Sequence, residues 1–542
     1  MKKKNSLIYI FLLSLLGTVI GAYTAPVLAA NPYLPLWAYI PDGEPYIFED
    51  PDHPGEYRVY IYGSHDSMKT EYCGREQLLW SASVNDLNNW RYDGSIFESK
   101  SDVNGNWLNP NGQGDILYAP DIVEVIGENG KKTYYFYPNN QSYGRNSMIA
   151  KADRPDGPFV VCNWNPDIPT ETIGDLKFDP AVFVDDDGKV YGYWGFKESW
   201  GAEFDPNTMA SIKAGSPPVK NMISGMDQDG EFRFFEASSM RKIKDKYVFI
   251  YSRWTADGEF DLPGSNYTLA YAYSDSPLGP FTYGGTIIDA RGRDFDRDGK
   301  PIWTASPGGN THGSILEVNG QWYVFYHRQI GTNMYARQAM VSTIDVHVTE
   351  GPGGRVEITE GEYTSEGFEI EGLNPYKKYP AGIACYYTGP EPAYIVWPDY
   401  IYSGSYIYPV YHDSDITNNP YDLKININPV VNNTDGSIVG YKYFNLNLIK
   451  EKSMTDLIVN LKPMGIDGTI DIMVGSPWES KKGIKIGSLQ VLKDAPQVQT
   501  TMRTTVSDVN KIKGKQALYF VFKSKIASRS ICELYDFNFM EK

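Results

Sequence analysis

The segment Phe178–Gly195 reads FDPAVFVDDDGKVYGYWG, in which two runs of alternating apolar and aromatic residues flank an acidic turn. The pair Asp187 and Gly188 is typical of a tight turn between antiparallel strands, so the segment predicts a β-hairpin. That turn explains the central acidic residues. It does not explain Asp179, a carboxylate that precedes the first strand of the hairpin.

The same pattern, a turn followed by a short aromatic strand, occurs five times at intervals of roughly 55–75 residues. The copies read GEYRVYIYGS, GKKTYYFYPN, GKVYGYWG, DKYVFIYS and GQWYVFYH, beginning at residues 55, 130, 188, 245 and 320. A second strand-forming element follows each copy. Antiparallel repeats of this length predict the blades of a β-propeller. We therefore expect a five-bladed β-propeller over residues 31–365, with an irregular β-sandwich as the alternative.

Length and composition favour an all-β protein with more than one domain. The 542 residues exceed one ordinary core, and aromatic residues make up 14% of them. Residues 366–542 contain a further set of short alternating strands and turn signals, which predicts a β-sandwich of the jelly-roll type. Its residues Tyr386, Tyr387, Trp397 and Trp478 are candidates for stacking on sugar rings, or they belong to the core.

Charge, the N-terminal segment and cysteine usage narrow the setting. The formal net charge of −17 argues against nucleic acid or an anionic membrane as a partner. Residues 1–30 combine a lysine-rich start, an apolar run and small residues, which predicts a signal peptide and a secreted protein. The widely spaced Cys73, Cys162, Cys385 and Cys532 lack metal-ligand spacing, so we expect buried free thiols.

Polar residues precede the first strands of the predicted blades. In a propeller the innermost strand of each blade starts near the central axis, so residues at these starts converge on one pocket. The candidates, in blade order, are Asp42 or Glu44, Asp121, Asp179, Glu236 and His312. The sequence has no serine nucleophile elbow, no phosphate-binding glycine loop and no zinc motif. Acid–base chemistry by carboxylates remains.

Such a set of carboxylates suits hydrolysis of a glycosidic bond. One carboxylic acid protonates the leaving oxygen, and one carboxylate activates water or attacks the sugar. A third carboxylate near the acid raises the pKa of that acid by like-charge repulsion and keeps it protonated near neutral pH. Each carboxylate alone is a weak signal, because Asp also caps turns, and it is their shared position in the repeat that supports this hypothesis.

The blade motifs resemble those of glycoside hydrolase family 43. The matching segments are, in order, NPYLPLWAYIPDGEPYIF, YAPDIVEV, FDPAVFVDDDGKVYGYWG, FEASSMRKIKDKYVFIYS and THGSILEVNGQWYVFYHR, between residues 31 and 328. The resemblance implies an inverting enzyme of the α-L-arabinofuranosidase or β-xylosidase type. It also implies that Glu236 is the general acid, that Asp179 tunes the pKa of Glu236 and orients substrate, and that the first-blade acid is the general base. The C-terminal region is similar to carbohydrate-binding modules of the family 6 type.

The first blade departs from the family pattern. Most members have a plain Asp-Pro pair at the base, whereas this chain has Asp42-Gly43-Glu44-Pro45. Asp42 keeps the residue type, and Glu44 keeps the place before proline. We favour Asp42, because a longer side chain would crowd the water that inversion requires, and we retain Glu44 as the alternative.

The resemblance also bears on metal and substrate contacts. It implies that His312 approaches a central metal, often calcium, through water, and a structural role for His312 is the alternative because calcium prefers oxygen ligands. No other cofactor is expected. Asp121, His312 and the tryptophans Trp37, Trp254 and Trp303 are predicted to bind substrate, with packing between blades as the alternative for the tryptophans.

The leading hypothesis is a secreted, monomeric glycosidase that acts on arabinofuranosyl or xylosyl linkages of plant-wall polysaccharides or oligosaccharides, such as those of arabinoxylan, xylan and arabinan. A non-catalytic carbohydrate-binding protein is one alternative, and hydrolysis of aryl glycosides separates the two. A retaining hydrolase on the same propeller is another. The anomer of the first-formed sugar separates retention from inversion.

Overall fold

The computed structural model describes residues 29–68, 70–99, 102–106, 114–140, 147–411, 425–450 and 454–542. The predicted signal peptide lies outside these residues except for its last two positions. Within the described ranges the chain forms β-strands and five single-turn 3-10 helices and has no α-helix, so the predicted all-β class is confirmed. The 3-10 helices are Glu259–Asp261, Ala381–Ile383, Leu446–Leu448, Glu479–Lys481 and Val509–Lys511. In these ranges no helix has the length and apolar character needed to cross a membrane.

Four antiparallel sheets of four strands follow one another along the chain, each with its strands in sequence order. The first consists of β1 (Glu44–Glu49), β2 (Tyr57–Tyr62), β3 (Glu76–Ser83) and β4 (Asp86–Glu98). The second consists of β5 (Asp121–Ile126), β6 (Lys132–Tyr137), β7 (Ala150–Ala152) and β8 (Val160–Val161). The third consists of β9 (Ala181–Val184), β10 (Val190–Trp194), β11 (Trp200–Phe204) and β12 (Val219–Lys220). The fourth consists of β13 (Phe234–Ile243), β14 (Lys246–Arg253), β15 (Thr268–Ser274) and β16 (Thr282–Asp289).

A fifth sheet has three strands and is flanked by two short hairpins. The hairpin before it is formed by β17 (Arg293–Phe295) and β18 (Pro301–Trp303). The sheet itself consists of β19 (Ser314–Val318), β20 (Gln321–Gln329) and β21 (Arg337–Ile344). The hairpin after it is formed by β22 (Val346–Val348) and β23 (Val356–Ile358). The five repeated aromatic segments of the sequence form the second strands of the five sheets.

The five sheets close into a ring with their first strands innermost. Strand β9 contacts both β5 and β13, and β1 contacts β19. The hydroxyl of Tyr46 on β1 donates to Asp121 on β5 (2.7 Å), and the hydroxyls of Ser239 on β13 and Ser314 on β19 lie 2.8 Å apart. This is the arrangement of a five-bladed β-propeller, in which each sheet is one blade.

The N-terminal segment ties the last blade to the chain that follows it. The side chain of Asn31 donates to the carbonyls of Val341 (2.6 Å) and Thr364 (3.1 Å) and accepts from the amide of Val341 (3.1 Å). Its backbone amide donates to Ser365 (2.8 Å). Because these groups are buried, breaking their hydrogen bonds would leave unsatisfied polar atoms, and the bonds hold the two ends of the propeller together.

Aromatic side chains fill the space between neighbouring blades. Phe48 of the first blade and Tyr134 of the second pack edge to face, with ring centroids 5.1 Å apart. Between the third and fourth blades, Tyr193 and Phe249 lie 5.8 Å apart. Each fully buried side chain of this size contributes about 1.5–3 kcal/mol of hydrophobic stabilisation. This packing explains why the repeat is rich in tyrosine and phenylalanine.

The four cysteines are free thiols, as predicted. Cys73, Cys385 and Cys532 are buried, but Cys162 is exposed. The prediction of burial was therefore wrong for Cys162. It directly follows β8, the outermost strand of the second blade, where a residue has no neighbouring blade to cover it.

The C-terminal region adds thirteen further strands within the described residues. They are β24 (Tyr379–Pro380), β25 (Tyr386–Thr388), β26 (Tyr394–Val396), β27 (Asp399–Ile401), β28 (Tyr406–Ile407), β29 (Val430–Val431), β30 (Ile438–Asn445), β31 (Thr455–Pro463), β32 (Gly468–Val474), β33 (Ile484–Val491), β34 (Thr500–Val506), β35 (Lys515–Lys523) and β36 (Cys532–Glu541). One sheet has the order β28-β29-β36-β31-β34, with β24 also paired to β36, and another has the order β25-β30-β35-β32-β33. Tyr441 and Phe520 of the second sheet pack on Phe537 of the first, at centroid distances of 4.6 and 5.3 Å.

The C-terminal region packs against the fifth blade. The guanidinium of Arg328 on β20 donates to the carbonyl of Ala384 (2.7 Å), and the side chain of Lys442 pairs with Asp294 (2.8 Å). The hairpin of β26 and β27 also lies on the fifth blade, where the hydroxyl of Tyr400 donates to the carbonyl of Gly308 (2.7 Å). The loop that contains Gly308 leads directly to His312.

Candidate active site

Three of the predicted carboxylates meet at the centre of the propeller. Asp42 and Asp179 lie just before the inner strands β1 and β9, and Glu236 lies on the inner strand β13. The three residues are only 4, 4 and 8% exposed. Asp179 accepts a hydrogen bond from the amide of Ala237, next to Glu236 (3.0 Å), and the charges of Asp42 and Asp179 both act on Glu236. The first, third and fourth blades thus each contribute one acid to a shared buried group.

Left-handed backbone conformations occur at each of these acids or beside it. The φ angle is 59° at Asp42, 50° at Asp179 and 66° at Ala237, a region that residues other than glycine rarely adopt. The pairing of β13 with β14 shifts register on both sides of Glu236, which marks a β-bulge. Such conformations cost about 1–3 kcal/mol each and concentrate at functional sites. Their grouping here supports a functional role for the three acids.

Asp42 lies against a buried arginine. Nη1 of Arg337 donates to both carboxylate oxygens (3.1 and 3.2 Å), and the hydroxyl of Ser64 donates to Oδ2 (2.5 Å). Burial raises the pKa of Asp42, but the positive charge of Arg337 and the hydrogen bond from Ser64 lower it, so the pKa lies below its ordinary value of 3.8. Asp42 is therefore a carboxylate at neutral pH.

His327 orients the backbone of Asp42. Its Nδ1 accepts a hydrogen bond from the Asp42 amide (3.2 Å), and its Nε2 donates to the carbonyl of Asn310 (2.8 Å). Burial lowers the pKa of His327 to about 3, so the ring is neutral at neutral pH. The two partners together require the single ring proton on Nε2.

Glu236 has the opposite electrostatic environment. Burial raises its pKa, and the negative charges of Asp179 and Asp42 raise it further, to well above the ordinary value of 4.5. The charge of Arg337 and a hydrogen bond with the side chain of Asn310 oppose this shift only in part. Asp42 and Asp179 are therefore ionised at neutral pH, whereas the raised pKa of Glu236 favours its protonated form, and this separation of pKa values is what acid–base catalysis requires.

Asp179 is fixed between the second and fourth blades. Asn139 donates to Oδ1 (2.9 Å), the amide of Ala237 donates to Oδ2 (3.0 Å), and Nδ1 of His312 lies 3.8 Å from Oδ2. Burial raises the pKa of Asp179 to about 6, with His312 opposing and Asp42 adding to the shift. Above that pH Asp179 carries the negative charge that acts on Glu236.

Glu44 and Asp121 belong to a different polar cluster. Arg241 donates to Oε2 of Glu44 (2.7 Å), and its guanidinium lies 4.6 Å from the centre of the Tyr46 ring. The Tyr46 hydroxyl donates to Asp121 (2.7 Å), which also accepts from the amide of Val182 (2.6 Å). Both carboxylates therefore bond to groups that hold neighbouring inner strands together.

His312 lies beside Asp179, but the residues around it do not fit a directly bound calcium ion. Within the described ranges, no group of three or more His, Cys, Asp or Glu side chains is placed to hold a metal ion. A single imidazole is a poor ligand for calcium, which prefers oxygen.

A row of aromatic rings borders the carboxylates. Phe235 directly precedes Glu236 and packs against Trp254 and Phe196, with ring centroids 5.5 and 5.1 Å apart. Phe178, next to Asp179 in the chain, lies 5.5 Å from Phe196, which is 50% exposed. Trp254 thus lies in an accessible aromatic row beside the general-acid candidate.

The other two predicted tryptophans have different surroundings. Trp37 is 3% exposed and packs against Trp80, with ring centroids 5.9 Å apart. This placement agrees with packing, which was the alternative to a contact with substrate. Trp303 lines a cavity whose walls include none of the three central carboxylates. Neither placement supports a contact with sugar at the centre of the propeller.

Sequence reasoning did not single out the polar residues that surround the acids: Ser64, Asn139, Asn310, His327 and Arg337. Four of them lie in loops or at the start of a strand, where no repeat pattern marks them. His327 did leave a signal, since it is a polar residue within the aromatic strand GQWYVFYH.

A chain of hydrogen bonds links the acids to the C-terminal region. The hydroxyl of Tyr400 on β27 shares its single proton between the carbonyl of Gly308 (2.7 Å) and Oε1 of Gln329 (2.5 Å), and Nε2 of Gln329 donates to Oδ1 of Asn310 (2.9 Å). Asn310 in turn bonds to Glu236. The hairpin of β26 and β27 therefore helps to fix the amide that contacts the protonated acid.

Comparison with known proteins shows the family of this chain. The family model described as Glycosyl hydrolases family 43 matches residues 44–347. The chain is 33% identical over 442 residues to a xylosidase/arabinosidase of Thermoclostridium stercorarium, covering 78% of this chain and 84% of that protein. It is 27% identical over 384 residues to an arabinoxylan arabinofuranohydrolase of Paenibacillus polymyxa, covering 67% of this chain and 54% of that protein. A crystal structure of a family 43 arabinoxylan arabinofuranohydrolase from Bacillus subtilis with cellotetraose has a TM-score of 0.43 and 21% identity, over 94% of this chain and 98% of that chain.

Fold, site and relatives define a glycosidase. The chain belongs to glycoside hydrolase family 43. The matched segment begins at Glu44 and does not include Asp42, so the family match does not decide between these two residues as the base. The choice rests on the contacts of the two side chains.

Proposed function

We propose that this protein is an inverting glycosidase in which Asp42 is the general base, Glu236 the general acid and Asp179 the residue that keeps Glu236 protonated. The observation that carries the proposal is the opposite surroundings of two acids in one buried group: Arg337 and Ser64 donate to Asp42, whereas Asp179 is held next to Glu236 through the Ala237 amide. These contacts agree with a pKa that is lowered at Asp42 and raised at Glu236. Environments that push two carboxyl pKa values apart assign the acid and the base.

The reaction is a single displacement. Asp42 accepts a proton from a water molecule as the water oxygen forms a bond to the anomeric carbon. Glu236 gives its proton to the glycosidic oxygen as the bond between that oxygen and the anomeric carbon breaks. Attack and departure take place on opposite faces of the sugar, so the configuration at the anomeric carbon inverts. Arg337 and His327 act on Asp42, holding its charge and its backbone in place.

The proposed substrates are arabinofuranosyl or xylosyl linkages of arabinoxylan, xylan or arabinan. The names of the relatives support this class, since they include a xylosidase/arabinosidase and an arabinoxylan arabinofuranohydrolase. The aromatic row of Phe178, Phe196, Phe235 and Trp254 supports it as well, because ring faces beside a polar pocket suit the apolar faces of sugars.

Proton NMR during hydrolysis of an α-L-arabinofuranoside or a β-xyloside tests the proposal. Inversion predicts that the first sugar released has the anomeric configuration opposite to that of the substrate. Release of the same configuration would assign a retaining mechanism instead. The Glu236→Gln variant is the control, and on a glycoside with a sugar leaving group it should release sugar about 10²–10⁴-fold more slowly than wild type.

Several further properties belong to the same proposal. The packed sheets formed by β24–β36 support a C-terminal β-sandwich over residues 366–542, which we propose is a carbohydrate-binding module of the family 6 type. We also propose a secreted monomer that needs no added cofactor. We expect the protein to retain its activity after treatment with a chelator and to have a monomeric mass in solution. We also expect the full Glu236→Gln chain to be retained on insoluble xylan.

A further inference from the structure

The C-terminal region places one buried tyrosine against the loop that leads to the catalytic centre. The backbone amide of Tyr400, on β27, donates to the carbonyl of Thr332 (2.9 Å), which fixes the hairpin of β26 and β27 on the fifth blade. Tyr400 is only 2% exposed, and its hydroxyl bonds both to the carbonyl of Gly308 and to Oε1 of Gln329. Burial raises the pKa of Tyr400 well above its ordinary value of 10, so the hydroxyl keeps its proton and acts by hydrogen bonding, without charge.

Gln329 packs directly against the same loop. A Cβ atom added to Gly309 would lie only 1.5 Å from Oε1 of Gln329, so the backbone of the loop passes closely over this side-chain amide. Gln329 is fully buried, and its Nε2 donates to Oδ1 of Asn310 (2.9 Å). Tyr400 and Gln329 together therefore hold the loop at two points, the carbonyl of Gly308 and the side chain of Asn310.

Asn310 connects this loop to the surroundings of both the acid and the base. Its backbone carbonyl accepts from Nε2 of His327 (2.8 Å), whose Nδ1 accepts from the amide of Asp42. Because Oδ1 of Asn310 accepts from Gln329, the amide NH₂ group of Asn310 is the part that bonds to Glu236. An N–H donor stabilises a carboxylate more than a protonated carboxyl group, so this bond favours the form that Glu236 takes after it has given up its proton.

We propose that Tyr400 is a positioning residue for the general acid: acting through Gln329, it holds the amide of Asn310 so that an N–H group donates to Glu236. The inference rests on the proposed role of Glu236, and it adds that the C-terminal region takes part in catalysis by the propeller. Asp179 and Asn310 then have complementary effects. The charge of Asp179 keeps Glu236 protonated before the reaction, and Asn310 stabilises the carboxylate as the proton leaves.

The variant Tyr400→Phe removes the hydroxyl and keeps the ring. It should lower kcat/KM about fivefold on a glycoside with a sugar leaving group, the effect of one neutral hydrogen bond. On the dinitrophenyl glycoside of the same pentose the loss should be less than about twofold, because dinitrophenolate leaves without a proton.

The pH profile gives a second readout that a merely structural role would not change. Loss of the oriented donor removes an interaction that lowers the pKa of Glu236, so its pKa rises and the alkaline limb of kcat/KM should move to higher pH. Removal of the Asp179 charge should move the same limb to lower pH. The other charged or titratable groups near Glu236 are unchanged in Tyr400→Phe: Asp42, Tyr72, Asp179, Arg337 and, beside Asp179, His312.

Two further variants show whether the effect follows the proposed path. Tyr402→Phe is the matched control, since its ring lies 6.3 Å from that of Tyr400 and its buried hydroxyl has no hydrogen-bond partner among the described residues. It should leave both activities and the pH profile unchanged. Asn310→Ala leaves the hairpin intact and should give the same substrate-selective loss and the same direction of shift. In the Asn310→Ala background, Tyr400→Phe should cause no further change.

Equal losses on both substrates in Tyr400→Phe, an alkaline limb that stays in place or moves to lower pH, or an undiminished effect in the Asn310→Ala background would overturn the proposal. Glu236→Gln is assayed on the same two substrates. If Glu236→Gln is selective for the substrate and Tyr400→Phe is not, only the role of Tyr400 fails. If Glu236→Gln is not selective either, the proposed role of Glu236 fails.

Discussion

Asp179 accepts a hydrogen bond from the backbone amide of Ala237, at 3.0 Å, and Ala237 directly follows Glu236. The bond ties the carboxylate of the third blade to the acid of the fourth. Burial raises the pKa of Glu236. Because the bond keeps the two carboxyl groups close together, the negative charge of Asp179 opposes ionisation of Glu236 and raises that pKa further.

The variant Asp179→Asn should move the alkaline limb of the pH profile to lower pH. Removing the negative charge lowers the pKa of Glu236, so the acid loses its proton earlier as pH rises, by about one pH unit or more. The profile of kcat/KM against pH reports this value for the free enzyme. Asp121→Asn, a buried carboxylate outside the central group, is the control. An alkaline limb in Asp179→Asn that coincides with wild type would contradict the role of Asp179.

The two first-blade acids should respond differently to removal of their charge. Asp42→Asn should lower kcat about 10²–10⁴-fold, because the water loses its base. Glu44→Gln should retain most activity and instead lower the free energy of unfolding by about 1–3 kcal/mol, because Arg241 loses a charged partner. Turnover and thermal melting of both variants measure this difference. If Glu44→Gln proves the more severe for turnover, Glu44 is the base.

The blade motifs predict the three central acids but do not decide between the two acids of the first blade, and the reason is physical. Asp42 and Glu44 are two positions apart and equally polar, and it is tertiary contacts that separate them: Arg337 for Asp42 and Arg241 for Glu44. Both arginines are distant in sequence from their partners. No local pattern relates them.

The repeat predicted the propeller because its strands alternate regularly and its turns recur. The same regularity does not show which aromatic residues are buried between blades and which lie beside the central acids. Trp37 is buried in the core and Trp254 lies beside Glu236, yet both are tryptophans near predicted blade mouths. The left-handed backbone at Asp42, Asp179 and Ala237 is not visible in the sequence either, because none of them is glycine.

Replacing Glu236 by Gln should change how stability depends on pH. The folded state holds a proton on Glu236 above pH 4.5, whereas the unfolded chain releases it near that pH. The wild-type free energy of unfolding therefore falls as pH rises from 4.5 towards the raised folded pKa, by up to about 1.4 kcal/mol per pH unit from this group. Gln cannot ionise, so Glu236→Gln should gain stability relative to wild type across this window.

Denaturant unfolding at several pH values measures that difference. Glu357→Gln, an exposed glutamate on β23, is the control and should follow the wild type. Parallel curves for wild type and Glu236→Gln would show that the folded state does not hold the extra proton.

The free thiols should differ in reactivity. Cys162 is exposed, whereas Cys73, Cys385 and Cys532 are buried, so a thiol reagent should modify Cys162 first in the native protein and all four after denaturation. Burial of its sulfur raises the pKa of the Cys162 thiol, which also donates to the carbonyl of Ile149 (3.4 Å), so Cys162 should react more slowly in the native than in the denatured protein. Cys162→Ser should remove this first reaction. Modification of a second cysteine at the same rate would mean that a buried position opens readily.

The most direct test of the central claim compares two substrates that share the same pentose but differ in leaving group. Departure of dinitrophenolate needs no proton, whereas departure of a sugar alcohol needs the proton of Glu236. Glu236→Gln should therefore lower kcat/KM about 10²–10⁴-fold on the natural glycoside and less than about tenfold on the dinitrophenyl glycoside. Equal losses on both substrates, or near-normal activity on the natural one, would contradict the assignment of Glu236 as the general acid.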